Sequence, residues 1–384
     1  MFLTVGMGRR PRTRAGMSTR WVLCRLIIPL VATVLLVLAA GAQPSAVSTE
    51  FIRLTTVDGV ETAGLIYAPV GRAPRGSAAL VHGYASNFYS GSTGRLSRAL
   101  AERGFMTIAL NMRDHDAGPK TTLFEENRWD ETAAVDELAR RTVAPMVLVG
   151  SSLGTNRVLF YLAETQDARI RAVVLIAAPG NAFEWNVRHF GREITMKSLE
   201  QAQKLRAAGR GKELMLVDLG PLGKALYSAD HLVSLRGPQT KSDPFGNIAR
   251  VTAPVLLVYG TADSLAEPEV GRRLKAAATR APRVDLVEIV GADHNFSKHR
   301  SELASVIERW LGEVLTAAAK LPSMGQSSTT PALASPAPPP DAPRAPSAIR
   351  LRCNPPRQPS YYNIILDTVT LQRYLQQGWV CRPV

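Results

Sequence analysis

Cysteine is nearly absent from this 384-residue chain, with Cys24, Cys353 and Cys381 its three examples, and no Cys/His group stands at metal-ligand spacing. No metal is therefore expected. A glycine-rich loop able to cradle a phosphate is also lacking, so no nucleotide cofactor is expected. Aromatic residues make up 6% of the chain and do not interleave with a basic face, which sets nucleic acid aside as a partner despite a formal net charge of +14. That charge is concentrated at the two ends. Residues 1–42 carry Arg9, Arg10, Arg12, Arg14, Arg20 and Arg25 and no acid, which leaves +8 for the remainder. From Ser323 onward six arginines stand against Asp341 and Asp367, so the central region is only +4. A solvated surface accounts for that balance, with weak attraction to an anionic envelope or membrane surface left open.

Long apolar runs are scarce too, and the one that occurs, Leu26 to Ala40, follows the basic N-terminal segment. It is shorter than the roughly 20 residues of a membrane span and ends at Ala40-Gly41-Ala42, small residues of the kind a signal peptidase accepts. Residues 1–42 are expected to be a signal peptide giving a periplasmic or secreted protein, with a retained membrane anchor as the alternative. Translation from Met17 would give a more ordinary signal length.

The chemistry centres on Met146-Val147-Leu148-Val149-Gly150-Ser151-Ser152-Leu153-Gly154. An apolar run of strand character stops at Gly150, Ser152 is the centre of G-x-S-x-G, and Val158, Leu159, Tyr161 and Leu162 continue at helical spacing. Such a sharp strand-to-helix turn strains the central residue and crowds its neighbours two positions away, where Gly150 and Gly154 supply the room. The Ser152 hydroxyl would stand above the sheet edge, with the backbone N–H of Leu153 at the start of a helix as one oxyanion donor.

Three further stretches occur in order. Ala78-Ala79-Leu80-Val81-His82-Gly83-Tyr84 reads as a strand and loop, Val255-Leu256-Leu257-Val258-Tyr259-Gly260-Thr261-Ala262-Asp263 as a strand ending near an acid, and Val287-Glu288-Ile289-Val290-Gly291-Ala292-Asp293-His294-Asn295-Phe296 as a strand and loop ending at a histidine. From about Phe51 to Lys320 the chain resembles the α/β-hydrolase family, whose triad runs serine, aspartate, histidine in the same order. The resemblance implies an α/β fold with a mostly parallel twisted sheet flanked by helices. It further implies Ser152 as nucleophile, His294 as base and Asp263 as the acid that orients it, with the N–H of Tyr84 as the second oxyanion donor. Asp293 adjoins His294, and adjacency does not let its carboxylate reach the ring with good hydrogen-bond geometry, so Asp263 is preferred. The family often has R-G-H-G where this chain has Arg113-Asp114-His115-Asp116, so both glycines are replaced; His115 is read as a structural loop residue.

The remaining pattern places an opening antiparallel hairpin around Asp58-Gly59, helices over Leu96 to Arg103 and Asp130 to Arg141, strands over Met106 to Leu110 and Ala172 to Ala177, and a closing helix over Glu302 to Leu315. In the hydrolase domain, residues 43–321, the sheet pattern pauses from about 178 to 250. The family carries a cap there, so this region is expected to shape the substrate pocket, with Trp185, Phe190, Met215 and Tyr227 as possible lining or ordinary core. Residues 322–346 are rich in Pro, Ala and Ser and read as an extended linker. Residues 347–384 form a small C-terminal module with strand character over Tyr361 to Leu366 and a short helix over Thr370 to Gln377. Too small to bury a core unaided, it holds Cys353 and Cys381, which an oxidising compartment would pair. Closing that 29-residue loop is worth about 3.5 kcal/mol in the chain-entropy treatment.

The expected activity is hydrolysis of carboxylic esters or thioesters through an acyl-enzyme, the substrate being a small acyl ester. A peptidase or amidase using the same triad, or an envelope-binding protein without catalysis, are the alternatives. Oligomeric state has no signature in the sequence.

Overall fold

The computed structural model describes residues 47–219 and 223–320, together with the backbone of three short strands further on. The expected signal segment, the Pro/Ala/Ser-rich linker and the helix over Thr370 to Gln377 lie outside the described residues.

An eight-stranded sheet organises the chain, built from β1 (Val47–Thr55), β2 (Glu61–Pro69), β3 (Gly76–Val81), β4 (Phe105–Leu110), β5 (Met146–Ser151), β6 (Ile170–Ile176), β9 (Val255–Gly260) and β10 (Val284–Ile289). Their order across the sheet is β1-β2-β4-β3-β5-β6-β9-β10, and every pairing from β4 to β10 is parallel, while β1 and β2 run antiparallel at one edge. Central strands β3, β5 and β9 are buried at every position, which explains why they read as unbroken apolar runs rather than as alternating patterns. Edge strand β1 is largely exposed.

Helices cover both faces. α1 (Gly91–Glu102) packs against α9 (Arg300–Lys320), while α2 (Asn127–Arg141), α3 (Leu153–Thr165), α7 (Pro244–Ile248) and α8 (Pro268–Ala277) follow one another in contact. The stripe Leu303, Ile307, Trp310 and Leu311 of α9 is buried as expected. α1 begins five residues before its expected start because Gly91, Ser92 and Thr93 have little helical propensity of their own; Thr93 and Gly94 are held there by burial.

The strand order turns back on itself at β3 and β5. β3 is followed by β4 on one side and, later in the chain, by β5 on the other, so the carboxyl ends of β3 and β5 face one crevice. Ser152 follows β5 and Gly83 follows β3, which places the elbow and the expected oxyanion loop side by side.

Between β6 and β9 the chain leaves the sheet to form α4 (Ala182–Phe190), α5 (Arg192–Ala207), the antiparallel pair β7 (Leu214–Asp218) and β8 (Lys224–Ser228), α6 (Ala229–Arg236) and α7. This segment has its own apolar cluster, comprising Trp185, Phe190, Leu199, Met215, Val217, Tyr227 and Leu232 among others. Phe190, Met215 and Tyr227 are thus core residues of the insertion. Lys120 ties it to the main body, since its N–H donates to Leu226 O and its carbonyl accepts from Ser228 N.

Beyond residue 348 the backbone of β11 (Ile349–Asn354), β12 (Tyr362–Leu366) and β13 (Val380–Pro383) forms a separate antiparallel sheet in the order β12-β11-β13. Its register sets Cys353 opposite Cys381. Their side chains lie outside the described residues.

Candidate active site

The turn after β5 has the strain that its sequence predicts. Ser152 sits at φ 54° and ψ −128°, outside the region a side chain prefers, and caps the N-terminus of α3. Both elbow glycines are forced by proximity. A Cβ on Gly150 would stand 2.6 Å from Gly154 O and 2.7 Å from Thr155 Cα, and one on Gly154 would run into the carbonyl oxygens of Val81 and His82. Gly83 is equally constrained from the other side, because a Cβ there would lie 2.8 Å from Ser152 Cβ. Strand β3, its loop and the elbow therefore close on one another through backbone contacts.

The structure brings together Ser152, Asp263 and His294, delivered by the ends of β5, β9 and β10. His294 Nε2 is 3.0 Å from Ser152 Oγ, and His294 Nδ1 is 2.8 Å from Asp263 Oδ2. The Asp263 side chain is fully buried, and its other oxygen accepts the backbone N–H groups of Leu265 at 2.8 Å and Ala266 at 3.0 Å. With its carboxylate fixed at both oxygens, Asp263 can hold the ring with Nδ1–H toward itself and leave Nε2 free to accept from the serine hydroxyl. Asp293 is exposed and turned to its own loop, where it accepts from Asn295 N at 3.1 Å and Ser297 N at 2.8 Å. Those bonds hold its pKa below the usual carboxylate value.

Leu153 is the first residue of α3, so its N–H has no acceptor within the helix. Tyr84 follows Gly83 and packs between the insertion cluster and a smaller group of Phe124, Leu153, Phe160, Ala182 and Leu235. The ring of Tyr84 is edge-on to Tyr227, with centroids 6.4 Å apart, and burial drives its hydroxyl pKa far upward. His82 is fully buried and holds the loop by two bonds, Nδ1–H to Gly83 O at 2.8 Å and Met112 N–H to Nε2 at 2.9 Å. Burial, with Arg157 nearby, keeps this ring neutral, its pKa pushed down to about 3.

A set of buried charges that the sequence pattern did not reveal supports these loops. Arg157 of α3, 1% exposed, donates to His82 O at 2.8 Å and forks onto Asp114 at 2.6 and 2.7 Å. Burial alone would raise the Asp114 pKa, but Arg157, with His231, His82 and Lys120 around it, brings it down to about 2. Lys120, also 1% exposed, donates its ammonium to the carbonyls of Asp114, His115 and Asp116. His115 bonds Asp116 at 2.9 Å and plays the structural part expected of it. Only the partners, lying 43 and 75 residues away in sequence, identify Arg157 as buried, so no local signal marks it.

A cavity of about 220 Å³ opens over the serine, lined by Gly83, Tyr84, Ser92, Ser151, Trp185, Arg236 and His294 among others. Ser92 and Ser151 are joined there at 3.0 Å. Trp185 and Arg236 come from the insertion between β6 and β9, which thus contributes to the walls. A wider cavity of about 500 Å³ lies near the opposite ends of β6 and β9, far along the strands from the triad. Among the described residues no cluster of acids, histidines and cysteines could hold a metal ion, and no helix is long and apolar enough to cross a membrane.

Sheet order, elbow and the site at the strands' carboxyl ends define an α/β-hydrolase. Residues 72–298, more than half of the chain, match the family described as serine aminopeptidase, S33, and the chain belongs to that family. No curated protein matches the sequence. Among solved structures, DcsB in complex with its substrate analogue is 16% identical with a TM-score of 0.54, over 69% of this chain and 99% of that one. Est1E from Butyrivibrio proteoclasticus is 16% identical with a TM-score of 0.51, over 69% and 99%. An esterase from Pyrococcus furiosus is 17% identical with a TM-score of 0.50, over 70% and 91%. At these identities the likeness is one of fold.

Proposed function

We propose that the protein is a serine hydrolase that cleaves carboxylic esters through an acyl-enzyme. The observation that carries this reading is the continuous relay from Ser152 Oγ to His294 to Asp263, opening onto a cavity. A serine hydroxyl is a weak nucleophile at neutral pH, so His294 Nε2 takes its proton as Oγ attacks the acyl carbon, and then returns it to the leaving alcohol. Asp263 stabilises the imidazolium formed in between. The N–H groups of Leu153 and Tyr84 would receive the negative charge that develops on the carbonyl oxygen. Water, activated by the same histidine, then releases the acid.

An aminopeptidase, the activity in the family's description, must seat a free α-ammonium beside the scissile bond, and a carboxylate is its natural partner. Among the described residues none that lines the cavity is acidic, and the one permanently charged group there is Arg236. That charge favours esters over N-terminal peptides. A non-catalytic scaffold accounts poorly for Ser152, whose backbone conformation costs about 1–3 kcal/mol and serves to present its hydroxyl. The insertion over residues 178–250 would act as a cap, since it supplies Trp185 and Arg236 to the walls. At about 220 Å³ the cavity is smaller than the roughly 300 Å³ at which ligand pockets usually begin, which suits short acyl groups.

Export belongs to the same proposal and is supported by the basic and apolar segment over residues 1–42. The facing register of Cys353 and Cys381 supports a disulfide between them. Fluorophosphonate labelling, followed by p-nitrophenyl esters of rising chain length and an alanine p-nitroanilide, tests the catalytic reading. A labelled Ser152 with ester turnover and little anilide turnover is expected; faster anilide hydrolysis would move the protein to the amidases.

A further inference from the structure

The cavity holds a cation that no acid among the described residues answers. Arg236, the last residue of α6, is 5% exposed, yet among the described residues its guanidinium makes no ion pair. One nitrogen, Nη1, donates to Asn186 Oδ1, while Nε is buried without a partner. The group lies 5.7 Å from the ring centroid of Tyr84 and 5.9 Å from that of Trp185. Trp185 is itself pinned by its indole N–H, which donates to Leu265 O at 2.8 Å. The cation is thus desolvated, fixed between two aromatic rings and placed in the wall of the pocket that contains Ser152. Arginine cannot discharge itself by losing a proton, so an anion supplied by a ligand is its natural complement.

We propose that Arg236 is a specificity-determining residue and that the substrate is a short ester bearing a free carboxylate, which the guanidinium seats while Ser152 attacks the ester carbonyl. The proposal rests on the serine-hydrolase reading above. A carboxylate would complete the charge of Arg236 inside a water-poor pocket, where a charge-assisted bond is stronger than at the surface. The carboxylate could belong to the acyl part, as in a hemiester of a dicarboxylic acid, or to the alcohol part. The chemistry recognised is the same in both, and paired substrates tell them apart.

The experiment measures kcat/KM for p-nitrophenyl hemiglutarate against p-nitrophenyl valerate, and for the butyryl ester of glycolic acid against its methyl ester, in the wild type, Arg236→Gln and Arg236→Lys. The wild type should favour the anionic member of one pair by ten- to hundred-fold, mostly through KM. Arg236→Gln should bring that ratio to one or below, and Arg236→Lys should restore part of it. Ratios within one variant are insensitive to the fraction of folded enzyme, so a merely structural Arg236 would lower both members together and leave the ratio unchanged. A wild-type ratio near or below one for both pairs, or a ratio unmoved by Arg236→Gln, overturns the proposal even where Ser152 is labelled by fluorophosphonate and neutral esters are turned over. Absence of both labelling and ester turnover would remove the underlying reading as well.

Discussion

Removing the carboxylate of Asp114 should be among the most costly single changes in the protein. Asp114→Ala leaves the guanidinium of Arg157 buried at 1% exposure, with His82 O as its remaining acceptor. Breaking a buried pair from one side costs about 3–5 kcal/mol, because the surviving charge has lost its compensation. Arg157→Leu should cost less, since a stranded carboxyl can take up a proton whereas a guanidinium cannot. The double variant should lose much less than the sum of the two. Linkage gives a second, independent magnitude. A fall in the Asp114 pKa from 3.8 to about 2 corresponds to about 2.5 kcal/mol of preference for the charged form. Because the folded value is the lower one, this contribution is present above about pH 4 and is lost as pH falls toward 2. Urea unfolding of the four proteins at pH 7 supplies the cycle, and repeating it near pH 3 tests the linkage. Singles that add to within about 0.5 kcal/mol at pH 7 would refute the reasoning, for they would mean that the two side chains do not depend on each other.

Ser152→Ala should lose activity by about 10⁴-fold or more, while Ser151→Ala should keep it within about tenfold, as read by ester hydrolysis and fluorophosphonate labelling. Asp263→Asn should fold normally by circular dichroism yet turn over esters about 10⁴-fold more slowly, since the amide favours the wrong tautomer of His294; unchanged turnover would take the acid's role from Asp263. Burial depresses the pKa of His82 to about 3 and that of His231 to about 4, so the unfolded chain binds two protons that the folded one refuses. Between about pH 6 and 4 these two rings together should therefore contribute a loss of about 2.7 kcal/mol of stability per pH unit of acidification, and His231→Gln should remove about half of that contribution, read as the difference between variant and wild-type slopes. Glu131 is buried with neither oxygen bonded, and burial raises its pKa well above the ordinary value. Its contribution has the opposite sign, present below about pH 4.5 and lost as pH rises, so Glu131→Gln should gain stability relative to the wild type between pH 5 and 8 in thermal unfolding.

The parts of the fold that could be read ahead are those whose cause is local. β3, β5 and β9 are buried on both faces and so are apolar without interruption, and Gly150 of the elbow is dictated by its contacts with Gly154 and Thr155 a few residues on. Asp263 was legible because it follows such a strand, and His294 because it stands in the loop just after β10, whose half-buried sequence still has strand character. The hairpin of β7 and β8 was not. Its strands have five residues each, and its inner positions, Met215, Val217 and Tyr227, are set by helices of the same insertion rather than by the main sheet. Arg236 escaped for a related reason. A charged residue closing a helix ordinarily faces water, and only the assembled site shows it lodged between Tyr84 and Trp185.

The replaced glycines of the loop after β4 show how one departure from a family pattern requires others. Asp116 takes φ 58°, a conformation that glycine adopts freely and a side chain does not, and its cost is offset because Asn87 Nδ2 bonds its carboxylate at 2.7 Å and its N–H reaches Ser86 O. Asp114 introduces a buried charge in place of no side chain at all, and a carboxylate in that position is tolerable only with a cation beside it. Arg157 and Lys120 meet that requirement, one from the elbow helix and the other from the segment that pairs with β8. Because the same Arg157 also holds His82 O, the loop after β4 is mechanically joined to the loop after β3 that carries Gly83 and Tyr84. Disturbing Asp114 should therefore reach the oxyanion side of the site, 30 residues upstream in sequence, and lower ester turnover in whatever fraction of the protein remains folded.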